Sequence, residues 1–169
     1  MNKIYTGVGS RSTPENIIKD MVNIAFDLSK RGWRLRSGGA YGADYAFEQG
    51  CDSALGTKEI YLPWKNFNDN PSHHYKPRED AYNLAASVHP SWSVLTFGGK
   101  SLHARNCYQI LGQDLKIPSD FIICWTKNGE LVGGTRTAIK LAEMYKIPVF
   151  NMFFTDWRKK LYEFIEHII

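Results

Sequence analysis

Four short stretches hold the residues whose types and spacing can do chemistry. GVGSRS (residues 7–12) joins glycines to serines and an arginine. SGGAYGAD (residues 37–44) packs three glycines and two alanines around a tyrosine and ends on a carboxylate. HARN (residues 103–106) places a histidine, an arginine and an amide close together, and VGGTRTA (residues 132–138) carries two glycines, two threonines and an arginine. Glycine-bearing turns that open helices leave backbone amides uncovered, and such amides cradle anions, phosphate above all. Arginine adds a fork of donors to the same work. A carboxylate at the end of such a turn can cap the following helix, hold a sugar hydroxyl or move a proton. Taken singly, each turn fits an ordinary tight connection as well as a cradle.

The elements that must position these stretches follow from apolar periodicity. Residues 3–8 read as a first strand and residues 33–36 as a second. Between them a helix starts at Ser12 or Thr13 as cap, with Pro14 and Glu15 in its first turn, and runs to Lys30. A helix over 41–54, a strand over 59–62 and an irregular loop over 63–77 come next. Helices over 78–89 and 102–115, a strand over 120–125, a helix over 134–145, a strand over 148–152 and an amphipathic helix over 156–169 complete the chain. Strands alternating with helices predict an α/β protein, a single Rossmann-like three-layer domain over 1–169 with a mostly parallel sheet. In such sheets the carboxyl ends of the strands form the ligand crevice, the rim to which the glycine turns belong.

Composition narrows the partners. The 169 residues are 43% hydrophobic and 22% charged, with a formal net charge of +4, compatible with anionic ligands and without a polybasic run for duplex DNA. Three widely spaced cysteines suggest neither a disulfide framework nor a zinc ribbon, and adjacent His73 and His74 lack further ligands, so no metal or redox cofactor is expected. The N-terminal residues do not read as a signal peptide, and no run of 18 apolar residues occurs, so the expectation is a cytoplasmic protein without a membrane partner. The last helix suits packing or contact within a homo-oligomer. GVGSRS is not the dinucleotide fingerprint, and no GxxxxGK[ST] exists for NTP hydrolysis.

On these residues the chain resembles the SMF/DprA–LOG superfamily of Rossmann-like domains, over roughly residues 5–150. SGGAYGAD is similar to the S-G-x-A-x-G-x-D turn of the DprA branch. Arg105–Asn106 and Gly134-Thr135-Arg136-Thr137-Ala138 are similar to that branch's Arg-Asn pair and G-[ST]-x-x-T-A turn. The resemblance implies binding of nucleotides, nucleotide-derived ligands or single-stranded DNA. The Lonely Guy branch, which hydrolyses the N-glycosidic bond of nucleoside 5′-monophosphates, fits less well. Its P-G-G-x-G-T-x-E-E signature would put Val132 at the proline and Ile139 and Lys140 at the two glutamates, and Asn106 stands where its R-K pair has lysine.

The expected function is therefore binding of a nucleotide or nucleotide-derived ligand at the carboxyl edge of the sheet, by a sensor or sequestering module. Single-stranded DNA binding in DNA processing is one alternative, and a nucleotide N-glycosidase with a relocated acid is the other. The expected binding residues are Gly9, Ser10, Arg11, Ser37, Gly38, Gly39, Gly42, Asp44, Arg105, Asn106, Gly133, Gly134, Thr135, Arg136 and Thr137. Trp64 and Tyr75 are the base-stacking candidates, and Asp44 and Arg105 would be catalytic if a reaction is run; Glu143 is the other candidate acid. His103 either reaches the rim or packs.

Overall fold

The computed structural model describes residues 2–130 and 133–169, so Val132 lies outside the described residues. Five strands form one all-parallel sheet in the order β3-β2-β1-β4-β5. They are β1 (Ile4–Gly7), β2 (Arg34–Ser37), β3 (Lys58–Ile60), β4 (Phe121–Cys124) and β5 (Val149–Asn151). The helices are α1 (Glu15–Lys30), α2 (Ala43–Ser53), α3 (Glu79–Val88), α4 (Phe97–Leu111), α5 (Thr135–Met144) and α6 (Trp157–Ile168). The Rossmann-like α/β expectation holds, and the sheet is parallel throughout.

Side chains on adjacent strand positions point to opposite faces, and each face has its own core. Tyr5, Leu35, Phe121, Ile123 and Phe150 pack with α1, α2 and α6. Val8, Ile122 and Cys124 pack with α3, α4 and α5. Helix α6 buries Trp157, Leu161 and Ile165 against the first of these cores. The three cysteines are free and buried.

Three expectations change. Ser12 and Thr13 do not cap α1: the Thr13 hydroxyl donates to the Ser10 carbonyl at 2.6 Å, and Pro14 precedes the helix with no side-chain cap. Helix α4 begins at Phe97, because the Thr96 hydroxyl accepts from the Gly99 amide at 3.1 Å and caps it. It ends at Leu111, because Gly112 takes φ 75°.

The 63–77 loop is irregular as expected, with one 3-10 turn at Phe67–Asp69, and it is pinned to the domain. Asn68 donates to the Gly39 carbonyl at 3.0 Å, Asn70 to Glu48 at 3.0 Å, and the Leu62 amide to the His74 carbonyl at 2.7 Å.

Helices α1 and α2 meet closely because Gly50 has no side chain. A Cβ there would lie 2.8 Å from the Ala25 Cβ and closer still to the Val22 carbonyl oxygen. Gly98, in the first turn of α4, has only Trp64 within reach, at 3.8 Å. Gly50→Ala should therefore lose about 1–3 kcal/mol despite alanine's higher helix propensity. Gly98→Ala should be neutral or gain up to about 1 kcal/mol. Urea unfolding of the two variants checks the opposite signs.

Candidate functional site

Strands β1 and β4 are neighbours from which the chain winds in opposite directions, and a parallel sheet opens its crevice at the carboxyl ends beside that switch. A cavity of about 720 Å³ lies there, within the range of small-molecule sites. Val8 to Ser12 line it after β1, Ala40 and Asp44 after β2, and Thr126 and Lys127 after β4. Gly133, Gly134, Thr135 and Ala138 enter from the start of α5, and Trp64 and Phe67 from the pinned loop. Helix α4 contributes Gly99, Leu102, His103, Arg105, Asn106 and Gln109.

The floor is built on α4. Arg105 is 5% exposed, and its guanidinium is held from several sides. Its Nε donates to Asn106 Oδ1 at 2.9 Å, and its Nη1 donates to the carbonyls of Gly38 and, at 3.4 Å, Tyr61. Phe67 lies against the guanidinium at 5.6 Å. Asn106 in turn donates to the Gly134 carbonyl at 2.9 Å. The Arg-Asn pair thus ties the turn after β2 to the turn that opens α5. Asp44 is 4% exposed and accepts from the Ala40 amide at 3.2 Å. Burial pushes its carboxyl up to about 6, against the pull of Arg105 and of the Ala40 amide. Burial also lowers the Arg105 pKa, and Asp44 opposes that shift.

The rim is cationic. Arg11 and Lys127 are exposed, and with Arg105 they face Asp44, the one carboxylate lining the cavity among the described residues. His103 also lines it, with Nδ1 2.7 Å from Thr137 Oγ1. Burial, with His89 and Arg105 nearby, pushes its imidazole down to about 4, so the ring is neutral at pH 7.

No family model matches the chain, and no curated protein matches it. Among solved structures, the Moco carrier protein of Chlamydomonas reinhardtii is similar over 88% of this chain and 74% of its own, at 17% identity and a TM-score of 0.53. A second structure of that molybdenum cofactor carrier protein gives a TM-score of 0.52. DNA processing protein A of Helicobacter pylori, which binds single-stranded DNA, is similar over 88% of this chain at 21% identity and a TM-score of 0.55; the chain spans 63% of its length. What is shared is the fold. These neighbours support the Rossmann-like α/β architecture expected from the sequence.

Of the residues singled out in the sequence, Gly9, Ser10, Arg11, Asp44, Arg105, Asn106, Gly133, Gly134, Thr135 and Trp64 come together around the cavity. The others lie elsewhere. Ser37 is buried and donates to the Gly7 carbonyl at 2.7 Å, joining β2 to β1. Gly39, at φ 68°, makes room for Leu62, and Gly42, at φ 82°, for the backbone of Ser10 and Arg11. Gly38 makes room for the floor: a Cβ there would lie 2.7 Å from Arg105 Nη1 and 2.8 Å from Asp44 Oδ2. By contrast, a Cβ at Gly133 or Gly134 would meet nothing within 4 Å, so these two glycines leave their turn open.

Arg136 lines a separate groove with Ser87, Val88, Pro90, Lys140, Glu143 and Met144. The step of about 100° from Thr135 to Arg136 carries the arginine out of the cavity that Thr135 lines and into this groove. Glu143 is thereby removed from the cavity as a candidate acid. Thr137 is buried against His103, and Tyr75 packs on the first core with Lys65 over its ring at 5.9 Å. Among the described residues no group of three or more metal-ligating side chains forms.

Gln109 and Lys127 line the cavity without having been singled out as binding residues. Gln109 was within reach of the sequence, because Leu102, Arg105, Asn106 and Gln109 follow the i, i+3, i+4, i+7 spacing of one helical face.

The folded chain holds a proton on Asp44 that the unfolded chain has already released between pH 4 and 6. Stability therefore falls as pH rises through that window, and the penalty, about 3 kcal/mol, is complete above it. Asp44→Asn should gain stability relative to the parent between pH 4 and pH 7. Thermal and urea melts across that range test this, and a pH-independent difference between the two proteins would contradict it.

Proposed function

We propose that this chain binds a nucleotide or nucleotide-derived ligand in the cavity at the β1–β4 switch and acts by holding it, as a sensor or sequestering module. One observation carries the reading. A buried arginine lines a cavity whose rim combines two small-residue turns with further cations and whose mouth carries Trp64 and Phe67. The turns at Gly9 to Ser12 and Gly133 to Thr135, with Lys127, suit phosphate. Trp64, 45% exposed at the mouth and edge-on to Phe67, suits the face of a base. No metal or redox cofactor enters the proposal. The fold shared with a molybdenum cofactor carrier protein and a single-stranded DNA binding protein supports ligand binding in general, not a particular ligand.

A panel of nucleoside mono- and diphosphates should include one that raises the melting temperature by roughly 5–10 °C at a hundredfold excess over Kd, with no product formed. Trp64→Ala should weaken that ligand about tenfold or more while leaving the unliganded melting temperature nearly unchanged. A panel with no shift at any member rejects the proposal.

A second reading is single-stranded DNA lying across the rim. Exposed Tyr41 and Tyr45 favour it, since the Gly42 turn between them packs against Arg11. It predicts a salt-dependent gel shift with oligonucleotides, weakened severalfold by Arg11→Ala and untouched by Arg136→Ala, whose side chain lies in the other groove. Absence of a shift at low salt removes it. If the site instead cleaves an N-glycosidic bond, Asp44 is the acid at hand, because Ile139 is buried in the second core. Free base released from nucleoside monophosphates, detected by chromatography, would establish that reaction.

A further inference from the structure

The cavity floor carries more hydrogen-bonding capacity than the protein uses. Three side chains meet there from two elements: Asp44 from α2, and Arg105 and Gln109 from α4. They are 4%, 5% and 2% exposed. Their convergence is fixed by Gly38, where an added Cβ would lie 2.7 Å from Arg105 Nη1, 2.8 Å from Asp44 Oδ2 and closer still to Gln109 Nε2. Arg105 spends Nε on Asn106 and Nη1 on two carbonyls, and its Nη2 makes no hydrogen bond among the described residues. Asp44 spends Oδ2 on the Ala40 amide, the Gly38 amide also favours its charged form, and no hydrogen bond to its Oδ1 forms among the described residues. The Gln109 side-chain amide makes none either, although its backbone carbonyl accepts from Thr6. These unused atoms are not sealed inside the protein but belong to side chains that line the cavity. They are available to a ligand group that accepts from Arg105, donates to Asp44 and can do either with Gln109.

A phosphate does not meet that demand. Its dianion only accepts, and the Asp44 carboxylate would stand beside it. A pair of hydroxyls does, because each donates and accepts. The position agrees. Phe67 lies 5.6 Å from the Arg105 guanidinium, and Asn106, the next residue of α4, reaches the Gly134 carbonyl at 2.9 Å. The floor thus touches both the aromatic loop that suits a base and the turn that suits a phosphate. In a nucleotide, the sugar is the part that joins those two.

We infer that Asp44, Arg105 and Gln109 recognise the vicinal hydroxyls of a ribose, so that the cavity takes ribonucleotides in preference to deoxyribonucleotides. The inference rests on the nucleotide reading above and narrows it. A strand of DNA lacks the 2′-hydroxyl, and its 3′-oxygen is esterified, so the floor would be left unpaired against it.

Calorimetric titration with ribonucleoside 5′-mono- and diphosphates, and with their 2′-deoxy and 3′-deoxy counterparts, tests the inference. The parent protein should bind the best ribonucleotide at least about tenfold more tightly than either deoxy form. Gln109→Leu and Asp44→Ala should each cut that preference severalfold, chiefly by weakening the ribonucleotide. A merely structural role would lower both affinities together and leave their ratio intact. Equal affinity of the parent for ribo and deoxy forms overturns the hydroxyl assignment while nucleotide binding stands. No binding by any member overturns both. The comparison on the parent protein decides even if a variant fails to fold.

Discussion

The interior of this domain is organised by one costly group, the guanidinium of Arg105. A charged side chain 5% exposed must be held by partners, because an uncompensated buried charge is strongly destabilising. Here the partners are carbonyls of Gly38 and Tyr61, the amide oxygen of Asn106 and the nearby carboxylate of Asp44. Each belongs to a different part of the fold, so satisfying the charge also fixes the end of β2, the exit of β3 and the face of α4. Asn106 extends the tie to the first turn of α5.

That constraint explains the small residues of SGGAYGAD. Their spacing allows either a tight turn or a cradle for a ligand, and the structure divides the two roles between stretches. Gly38, Gly39 and Gly42 yield space to the protein itself: to the floor side chains, to Leu62 and to the neighbouring turn at Ser10 and Arg11. Gly133 and Gly134 have nothing within 4 Å of where a Cβ would stand. A glycine whose missing Cβ admits a side chain is structural, and one that faces open space keeps its backbone accessible. Sequence shows the residue type and not what lies opposite it, so the distinction was not legible beforehand.

What was legible follows the same division between local and non-local causes. The order of strands and helices came from periodicity and turn residues, which act over a few positions. All five strands and six helices appear in the expected order, with ends moved by local chemistry such as the Thr96 cap and the left-handed Gly112. The membership of the site was legible at the exit of β1 and at Arg105 and Asn106 within α4. It was less so at the exit of β2, where Ser37, Gly38, Gly39 and Gly42 serve the protein's own packing, and legible again at Gly133 to Thr135, which open α5. It failed one residue further on, at Arg136, where the helical turn carries the side chain away from the rim. Gln109 shows the converse. It stands outside every motif, yet it shares a helical face with Arg105, and the period of the helix places both in the floor.

The same geometry bears on what chemistry the cavity supports. A hydrolase of N-glycosidic bonds needs a carboxylate beside the scissile bond to stabilise positive charge on the sugar. Where the Lonely Guy signature would place glutamates, this chain has Ile139, buried in the second core, and Lys140, which lines the separate groove. Asp44 is within the cavity, but burial raises its carboxyl to about 6, and its Oδ2 is committed to the Ala40 amide. A carboxyl so placed keeps its Oδ1 to accept a hydrogen bond from a hydroxyl. Holding a sugar is therefore the less demanding use of the floor, and it accounts for Gln109, whose neutral amide adds nothing to charge stabilisation but completes a set of hydrogen-bonding partners.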